Sequence, residues 1–308
     1  MKRRWSDLLF AMALLSVTAA CGSGLEPDAC EGEGVRLQVL GSGGPIADDG
    51  RASTGYLLWI DGKSRVLIDA GGGTFLRFGE ASAKFEDLDF VGLSHLHTDH
   101  SADFPALVKS GNFSPRMRAL PMAGPDGDGA FPGLEGFLDA MFERDKGAYA
   151  YLASFLDGTN NKPRLVPREV PKGEVTPVYR SDDLNIDAMR VPHGIVPAVA
   201  FRVTAGDTTW VFSSDQNGGD PAFAEFAADA TVLVMHMVIP EGAEGVARKL
   251  HAPPSVIGEI AAKAAPGKLV LSHFMARSLQ NLDASVELVR QRFNGEVVVA
   301  EDLACITP

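Results

Sequence analysis

The stretch Ser94-His95-Leu96-His97-Thr98-Asp99-His100 carries four ligand-type side chains within six residues. It follows an apolar run at residues 90–94 (FVGLS), which predicts a buried strand. A loop at a strand end can direct His95 and His97 to one side, and Asp99 with His100 to the other. Imidazole is a natural Zn²⁺ ligand, and a carboxylate completes a mixed nitrogen and oxygen shell. The motif therefore predicts a metal site, with a surface histidine cluster or a regulatory metal site as the alternatives.

One loop cannot saturate two metal ions, so further ligands are expected downstream. Three candidates each lie just past the end of a predicted strand: His193, Asp215 and His273. The carboxyl ends of strands are where α/β sheets tend to gather their sites. Each residue taken alone is better explained as a structural histidine or a capping aspartate. Their prediction as ligands therefore depends on the histidine-rich loop.

The pattern of apolar runs predicts the fold class. Residues 54–60 and 65–69 form two β-type runs around Asp61-Gly62, a strong hairpin signal. Later β-type runs, from residue 184 onward, alternate with helical segments such as residues 255–265. The sequence shows no repeat of fixed period. This order predicts an α/β protein with two sheets and outer helices, a four-layer αββα sandwich in one domain at residues 35–308.

Residues 123–182 differ from the rest of this predicted domain. They are rich in Gly, Pro, Asp and Lys and contain only short helical islands. We interpret this segment as an insertion over the site that could serve as a lid.

The charge balance bears on the class of partner. The chain has 308 residues and a net charge of −12, although its first 20 residues carry three positive charges and one negative. The remainder is therefore more acidic still, and no Lys/Arg cluster follows the leader. Affinity for nucleic acid is built largely on basic residues that neutralise phosphates. Nucleic acid is therefore a disfavoured partner.

The N-terminus predicts export. Lys2, Arg3 and Arg4 precede an apolar run at residues 8–17, which is too short to span a bilayer as a helix. Small residues then precede Cys21, as a signal peptidase requires. Residues 1–20 resemble a bacterial lipoprotein signal, with Thr18 in place of the usual Leu. The resemblance implies that Cys21 is acylated, that residues 21–34 form a lipid-anchored tether, and that the protein is periplasmic. A plain secretory signal cut nearby is the alternative, and it also exports the protein.

Two further cysteines, Cys30 and Cys305, stand at the two ends of the body. An exported compartment permits disulfides, and chain termini often lie close together. The two residues would form a disulfide if the termini meet. Two free buried thiols are the alternative.

Several motifs resemble the metallo-β-lactamase superfamily, most closely its ribonuclease Z and arylsulfatase-like branch. The resemblance covers nearly the whole mature chain and includes the histidine-rich loop as HxHxDH. The other matching motifs are LGSGG at residues 40–44, RAST at 51–54, IDAGGGT at 68–74, GPDG at 124–127, PHG at 192–194 and LVLSHF at 269–274. The resemblance implies the metallo-β-lactamase fold.

The resemblance also implies a ligand set for two divalent metal ions. One ion would be held by His95, His97 and His193, and the other by Asp99, His100 and His273, with Asp215 bridging them. Zinc is the default metal, although Mn²⁺ or Fe also suits nitrogen and oxygen ligands. A hydroxide held between two such ions would attack a phosphorus, sulfur or carbonyl centre, with Asp99 orienting it. Dimers are common in the family, so a homodimer is expected by analogy.

Two remaining histidines have open roles. The resemblance implies that His251 reaches a leaving or non-bridging oxygen of a phosphate, as a donor that stabilises charge in the transition state. A structural histidine at a helix N-terminus is the alternative. His236 is interpreted as a structural or supporting residue, and a direct role in the site is the alternative.

Some positions depart from ribonuclease Z. The Glu that follows the residue matching His236 is Met237 here, and the usual Gly before the bridging aspartate is Ser214. The chain is also acidic and shows no obvious basic arm for tRNA. tRNA processing is therefore disfavoured. The favoured prediction is a hydrolase of small phosphodiesters or sulfate esters. A lactone or β-lactam hydrolase and a non-catalytic, lipid-anchored metal-binding protein are the alternatives, although the apparently complete ligand set argues against the last.

Overall fold

The computed structural model describes Cys30 and residues 32–308. The predicted signal peptide, Cys21 and most of the predicted tether lie outside these residues. Within the part of the chain that the structure describes, no helix has both the length and the apolar character needed to cross a membrane.

The described residues form both strands and helices. The strands are β1 (Val35–Gly41), β2 (Gly55–Ile60), β3 (Lys63–Ile68), β4 (Phe90–Gly92), β5 (Leu120–Pro125), β6 (Leu165–Val170), β7 (Thr176–Arg180), β8 (Leu184–His193), β9 (Val196–Ala205), β10 (Thr208–Phe212), β11 (Val232–His236), β12 (Lys268–Ser272), β13 (Glu296–Val299) and β14 (Cys305–Ile306). The α-helices are α1 (Thr74–Glu80), α2 (Thr98–Ser101), α3 (Phe104–Ser110), α4 (Leu134–Phe142), α5 (Ser154–Asp157), α6 (Ala222–Phe226), α7 (Gly245–Leu250), α8 (Pro254–Ala264), α9 (Ala276–Leu279) and α10 (Leu282–Arg290). Short 3-10 turns occur at Phe85–Asp87, Gly111–Phe113, Ala150–Leu152 and Thr159–Asn161.

The strands form two seven-stranded mixed sheets. The first has the order β14-β1-β2-β3-β4-β5-β6, and the second has the order β13-β12-β11-β10-β9-β8-β7. In each sheet a group of antiparallel strands is followed by parallel ones, β3 to β6 in the first sheet and β10 to β13 in the second. Parallel neighbours need crossover connections, and these connections contain the outer helices.

The hairpin between β2 and β3 forms where the sequence predicts it. Ile60 pairs with Lys63, so Asp61 and Gly62 form a two-residue turn. Their φ angles are 50° and 73°, and a type I′ turn requires positive φ at both positions. The Asp-Gly pair therefore determines the register of this hairpin.

Three apolar layers hold the sandwich together. The central layer lies between the sheets and includes Leu58 and Phe90 of the first sheet and Phe201 and Trp210 of the second. One outer layer packs α1, α3 and α4 on the first sheet, and the other packs α6, α8 and α10 on the second. Each fully buried large apolar side chain contributes about 1.5–3 kcal/mol relative to exposure. The predicted four-layer αββα sandwich is confirmed.

The two ends of the described chain are joined. Cys30 and Cys305 form a disulfide across a Cα–Cα distance of 5.3 Å, and β14 pairs with β1 beside it. Cys30 is 2% exposed and packs in the outer layer of the first sheet. The disulfide therefore joins Cys30, which precedes the predicted domain boundary at residue 35, to the sandwich.

Residues 123–182 are built into both sheets. They include β6, the edge strand of the first sheet, and β7, the edge strand of the second. Helix α4 covers β5 and β6, with Leu134, Leu138 and Phe142 buried. The segment is therefore part of the sandwich rather than a separate addition to it.

Candidate metal centre

Strand ends from both sheets converge at one edge of the sandwich. Strands β8, β10, β11 and β12 run in the same direction, so their carboxyl ends lie together. The loop after β4 meets them from the first sheet. The following side chains come together there: His95, His97, Asp99, His100, His193, Asp215, His236, His251 and His273. Every residue predicted as a metal ligand is among them.

The potential ligand atoms of the described residues form five overlapping groups, of which two lack Asp215 and share no residue with each other. Within each group these atoms lie within 4.8 Å of one another, and the two groups are His95–His97–His193 and Asp99–His100–His273. The Asp215 Oδ2 atom lies 4.0 Å from His95 Nε2 and 3.8 Å from His100 Nε2, one histidine from each group. This is the arrangement expected of two neighbouring ion sites that share one carboxylate.

A single buried carboxylate positions the histidine-rich loop. Asp69 accepts hydrogen bonds from the Ser94 backbone N–H (2.6 Å), the Ser94 hydroxyl (2.7 Å) and the His100 Nδ1 atom (2.8 Å). It is 1% exposed and lies directly after β3. Sequence reasoning included Asp69 only as part of a turn motif and missed this role. An aspartate directly after an apolar strand and before a glycine run was the available signal.

Hydrogen bonds on the outer side of the rings determine which nitrogens face the centre. His100 Nδ1 donates a hydrogen bond to Asp69, and His193 Nδ1 donates one to the Leu250 carbonyl at 2.9 Å. The Nε2 atoms of both rings therefore face the centre, 3.8 and 3.7 Å from Asp215 Oδ2. The buried His193 Nε2 has no hydrogen-bond partner among the described residues. A buried polar atom without a partner is costly, so this donor set fits a divalent cation.

The electrostatic field of the centre also favours positive charge. Burial alone would lower the pKa of His100, but Asp69 and Asp99 raise it to about 9. Burial would raise the pKa of Asp215, yet His273 and His251 hold it well below its usual range. The Asp215 carboxylate therefore stays ionised and attracts cations. A bound metal ion would supply the positive charge that this field favours, and the imidazoles would then be neutral ligands.

His236 acts on Asp215 rather than on the open side of the centre. Its Nδ1 donates to Asp215 Oδ1 at 2.7 Å, and its Nε2 accepts from the Tyr56 hydroxyl at 3.0 Å. Both ring nitrogens are thus occupied, which agrees with a supporting role. Ser214, directly before Asp215, has φ of 58°, in the left-handed region that costs a non-glycine residue about 1–2 kcal/mol. The conformation explains why glycine is usual at this position.

One ring nitrogen of His251 faces the centre. Its Nδ1 lies 3.7 Å from Asp215 Oδ2 and has no hydrogen-bond partner among the described residues. The preceding segment is tied down by Arg248, which donates to the Asn217 carbonyl at 2.9 Å, and by Asn217, which donates to the Lys249 carbonyl at 2.8 Å. Burial lowers the pKa of His251 to about 4, although Asp215 opposes this shift.

Comparison with known proteins agrees with this geometry. The sequence profile described as "Beta-lactamase superfamily domain" matches residues 64–274. That match covers more than half of the chain, including the histidine-rich loop and His273. The protein therefore belongs to the β-lactamase superfamily.

Three individual relatives show which kinds of protein the chain is similar to. Ribonuclease Z of Haloferax volcanii is 26% identical, over 87% of this chain and 93% of its own. The metallo-β-lactamase fold protein YhfI from Bacillus subtilis has a TM-score of 0.70 and 23% identity, over 89% of this chain and 100% of its own. Zinc-bound PqqB from Methylobacterium extorquens has a TM-score of 0.64 and 14% identity, over 89% of this chain and 100% of its own. Because a ribonuclease acts on RNA, these relatives do not support the sequence-based exclusion of nucleic acid.

Proposed function

We propose that this protein is a binuclear metal-dependent hydrolase of small phosphodiesters. The observation that carries the proposal is the pair of ligand groups joined by Asp215, with a buried His251 ring facing the same space. A metal-binding protein without catalysis would not need this additional ring. The ribonuclease relatives, which cleave phosphodiester bonds in RNA, support the choice of bond.

The residues of the chain divide the work. Two divalent ions, with zinc as the first choice, would be held by His95, His97, Asp99, His100, His193, Asp215 and His273. When bound, they supply an activated water and polarise the scissile group. Asp99 orients the attacking water, and His251 donates a hydrogen bond to the leaving or non-bridging oxygen as charge develops there. Asp69 and His236 keep the ligands oriented.

The acidic surface favours a small substrate. The net charge is −12, and a long phosphate backbone is bound mainly through Lys and Arg. A small diester places one negative charge beside the metal ions and needs no basic track. RNA is nevertheless assayed as an alternative substrate class, because the ribonuclease relatives act on it.

The decisive experiment measures metal content and turnover on the purified full chain and on Asp99→Ala. We expect about two metal ions per chain, as a shared-carboxylate site requires, and hydrolysis of bis(p-nitrophenyl) phosphate that Asp99→Ala abolishes. Precursor tRNA, an aryl sulfate, a lactone and a β-lactam are assayed in parallel. Faster turnover of any of these would replace the proposed substrate class. A chain that binds no metal would overturn the proposal altogether.

We also propose that the protein is exported and lipid-anchored through Cys21. The basic residues, the apolar run and the small residues before Cys21 support this proposal. Cys21→Ser should move the protein from the membrane fraction to the soluble periplasmic fraction and abolish its labelling by radioactive palmitate. Unchanged fractionation and the absence of labelling in the wild type would contradict lipidation and favour a plain secretory signal.

A further inference from the structure

A cleft of about 880 Å³ lies beside the metal centre, at the end of β8. Its lining includes the buried residues Met189, Val191 and Phe226, which form an apolar floor. The loop at residues 172–175 borders the cleft, and so does the segment that leads into α6. This volume lies within the range of about 300–1,000 Å³ that is usual for sites of small organic ligands.

Apolar side chains stand exposed at the rim of this cleft. Ile195 is 78% exposed and Val175 is 54% exposed, and both line the cleft with Ala222. Exposed apolar groups that gather around a concavity mark a binding surface. Charged side chains of both signs, such as Lys172 and Glu174, also line the cleft. The cleft therefore offers an apolar interior and no field of a single sign.

The cleft adjoins the metal centre at His193. His193 lines the cleft and also belongs to the ligand group with His95 and His97. Asn217, two residues after Asp215, lines it as well, and its backbone N–H donates to the Pro192 carbonyl at 2.9 Å. The wall between the two spaces is thus built from residues that are already fixed. The cleft is therefore next to the ligand group that contains His193.

We propose that this cleft binds the uncharged apolar group of the ester, aryl or alkyl, and so selects phosphodiesters with one bulky apolar substituent. The proposal rests on the proposed phosphodiesterase function and deepens it. The metal centre takes the anionic phosphate, and the cleft takes the organic group that does not leave. Burial of that group beside Val191 and Phe226 removes apolar surface from water.

The test compares two substrates with the same charge and the same leaving group. Phenyl p-nitrophenyl phosphate carries a bulky apolar substituent, and methyl p-nitrophenyl phosphate does not. Ala222→Trp fills the cleft, so it should raise KM for the phenyl diester at least about tenfold, the lower end of what one methylene changes in an apolar pocket. KM for the methyl diester and kcat for both should stay unchanged. Val175→Ser should act in the same direction and less strongly.

The matched control is Ala262→Trp, because Ala262 lies on an exposed face of α8 and does not line the cleft. It should leave both KM values unchanged. Thermal melting of each variant checks that the fold is intact. Val175→Ser, on a surface loop, keeps the test open if Ala222→Trp does not fold.

A binding measurement separates this proposal from the proposed function. The neutral fluorophore N-phenyl-1-naphthylamine should bind the wild-type protein, and Ala222→Trp but not Ala262→Trp should weaken that binding. If the probe binds in this pattern and no phosphodiester is hydrolysed, the cleft is upheld and the proposed function fails. If phosphodiesters are hydrolysed and Ala222→Trp changes neither the ratio of KM values nor probe binding, the cleft proposal is overturned.

Discussion

The loop half of the metal centre consists of His95, His97, Asp99 and His100, which lie within a run of six residues shortly after β4. The strand-end half consists of His193, Asp215 and His273, which follow or end three strands of the second sheet. Both halves contribute ligand atoms to the same small volume. They reach it by different means, since one is a local motif and the other depends on how the second sheet is assembled.

The two halves also differ in the contacts that hold their side chains in place. Asp69 alone accepts three hydrogen bonds that hold the loop half. In the strand-end half, each member has its own support: the Leu250 carbonyl for His193 and the His236 ring for Asp215. His273 packs against Gly44, where an added Cβ would lie 2.9 Å from the ring. One substitution at Asp69 should therefore disturb Ser94 and His100 together, whereas the strand-end half should lose its supports one at a time.

The largest effect is expected from Asp215→Ala, which removes the carboxylate that lies between the two ligand groups. We expect activity to fall by on the order of 10²–10³-fold, as for the loss of one preorganised polar contact, with less metal bound per chain. Turnover and metal analysis measure both. Asp183→Ala, at an exposed aspartate paired with Arg65, is the matched control and should change neither. Full metal content and full activity in Asp215→Ala would show that the two ligand groups bind metal without this carboxylate.

The next effect tests the support of the loop half. Asp69→Asn keeps the shape of the side chain but removes the charge that holds His100 and Ser94. Loss of such an outer contact lowers metal affinity about 10- to 100-fold, which competition with a zinc chelator measures. Asp103→Asn is the control, because Asp103 binds the backbone N–H groups of Gly73 and Phe75 away from the ligands. Equal zinc affinity in the two variants would refute the special role of Asp69.

Removal of the metal should affect the surroundings of the two halves to different extents, without any mutation. Helix α7 has no buried residue. Its carboxyl end is held by hydrogen bonds to His193 and Asn217, one of which comes from Arg248 of the helix itself. The loop half keeps its contacts with Asp69 when metal is absent. After chelation, amide hydrogen exchange should therefore increase more at residues 246–252 than at residues 94–101. A larger increase in the loop would reverse the comparison.

The smallest effect is expected from Tyr56→Phe. It removes the hydrogen bond to His236 Nε2 but leaves the His236–Asp215 bond, and it keeps the packing of the ring against Phe212. One neutral hydrogen bond contributes about 0.5–1.5 kcal/mol, so metal affinity should fall by no more than about tenfold. The same zinc competition measures it. A loss as large as that of Asp69→Asn would show that support of the strand-end half is also concentrated in one chain of contacts.

The sequence alone was enough to predict the loop half, the hairpin at Asp61-Gly62 and the four-layer fold. Each of these depends on short-range patterns: ligand spacing within a loop, positive φ in a two-residue turn, and apolar runs of strand length. His193, Asp215 and His273 could be proposed only because each follows a strand, and the resemblance to a known family assigned them to one centre. Sequence reasoning thus named the residues that the structure brings together.

Only the tertiary structure decided how these residues are held and what lies beside them. Asp69 and His100 are 31 positions apart, and Tyr56 and His236 are 180 apart, so their contacts depend on the pairing of strands and the packing of two sheets. The same holds for residues 123–182, whose strands lie at the edges of both sheets, and for the cleft between β8 and α6. Local sequence determines which backbone conformations a segment can adopt and which ligand side chains it carries. The partners of a buried polar atom are chosen by long-range packing, which no short segment encodes.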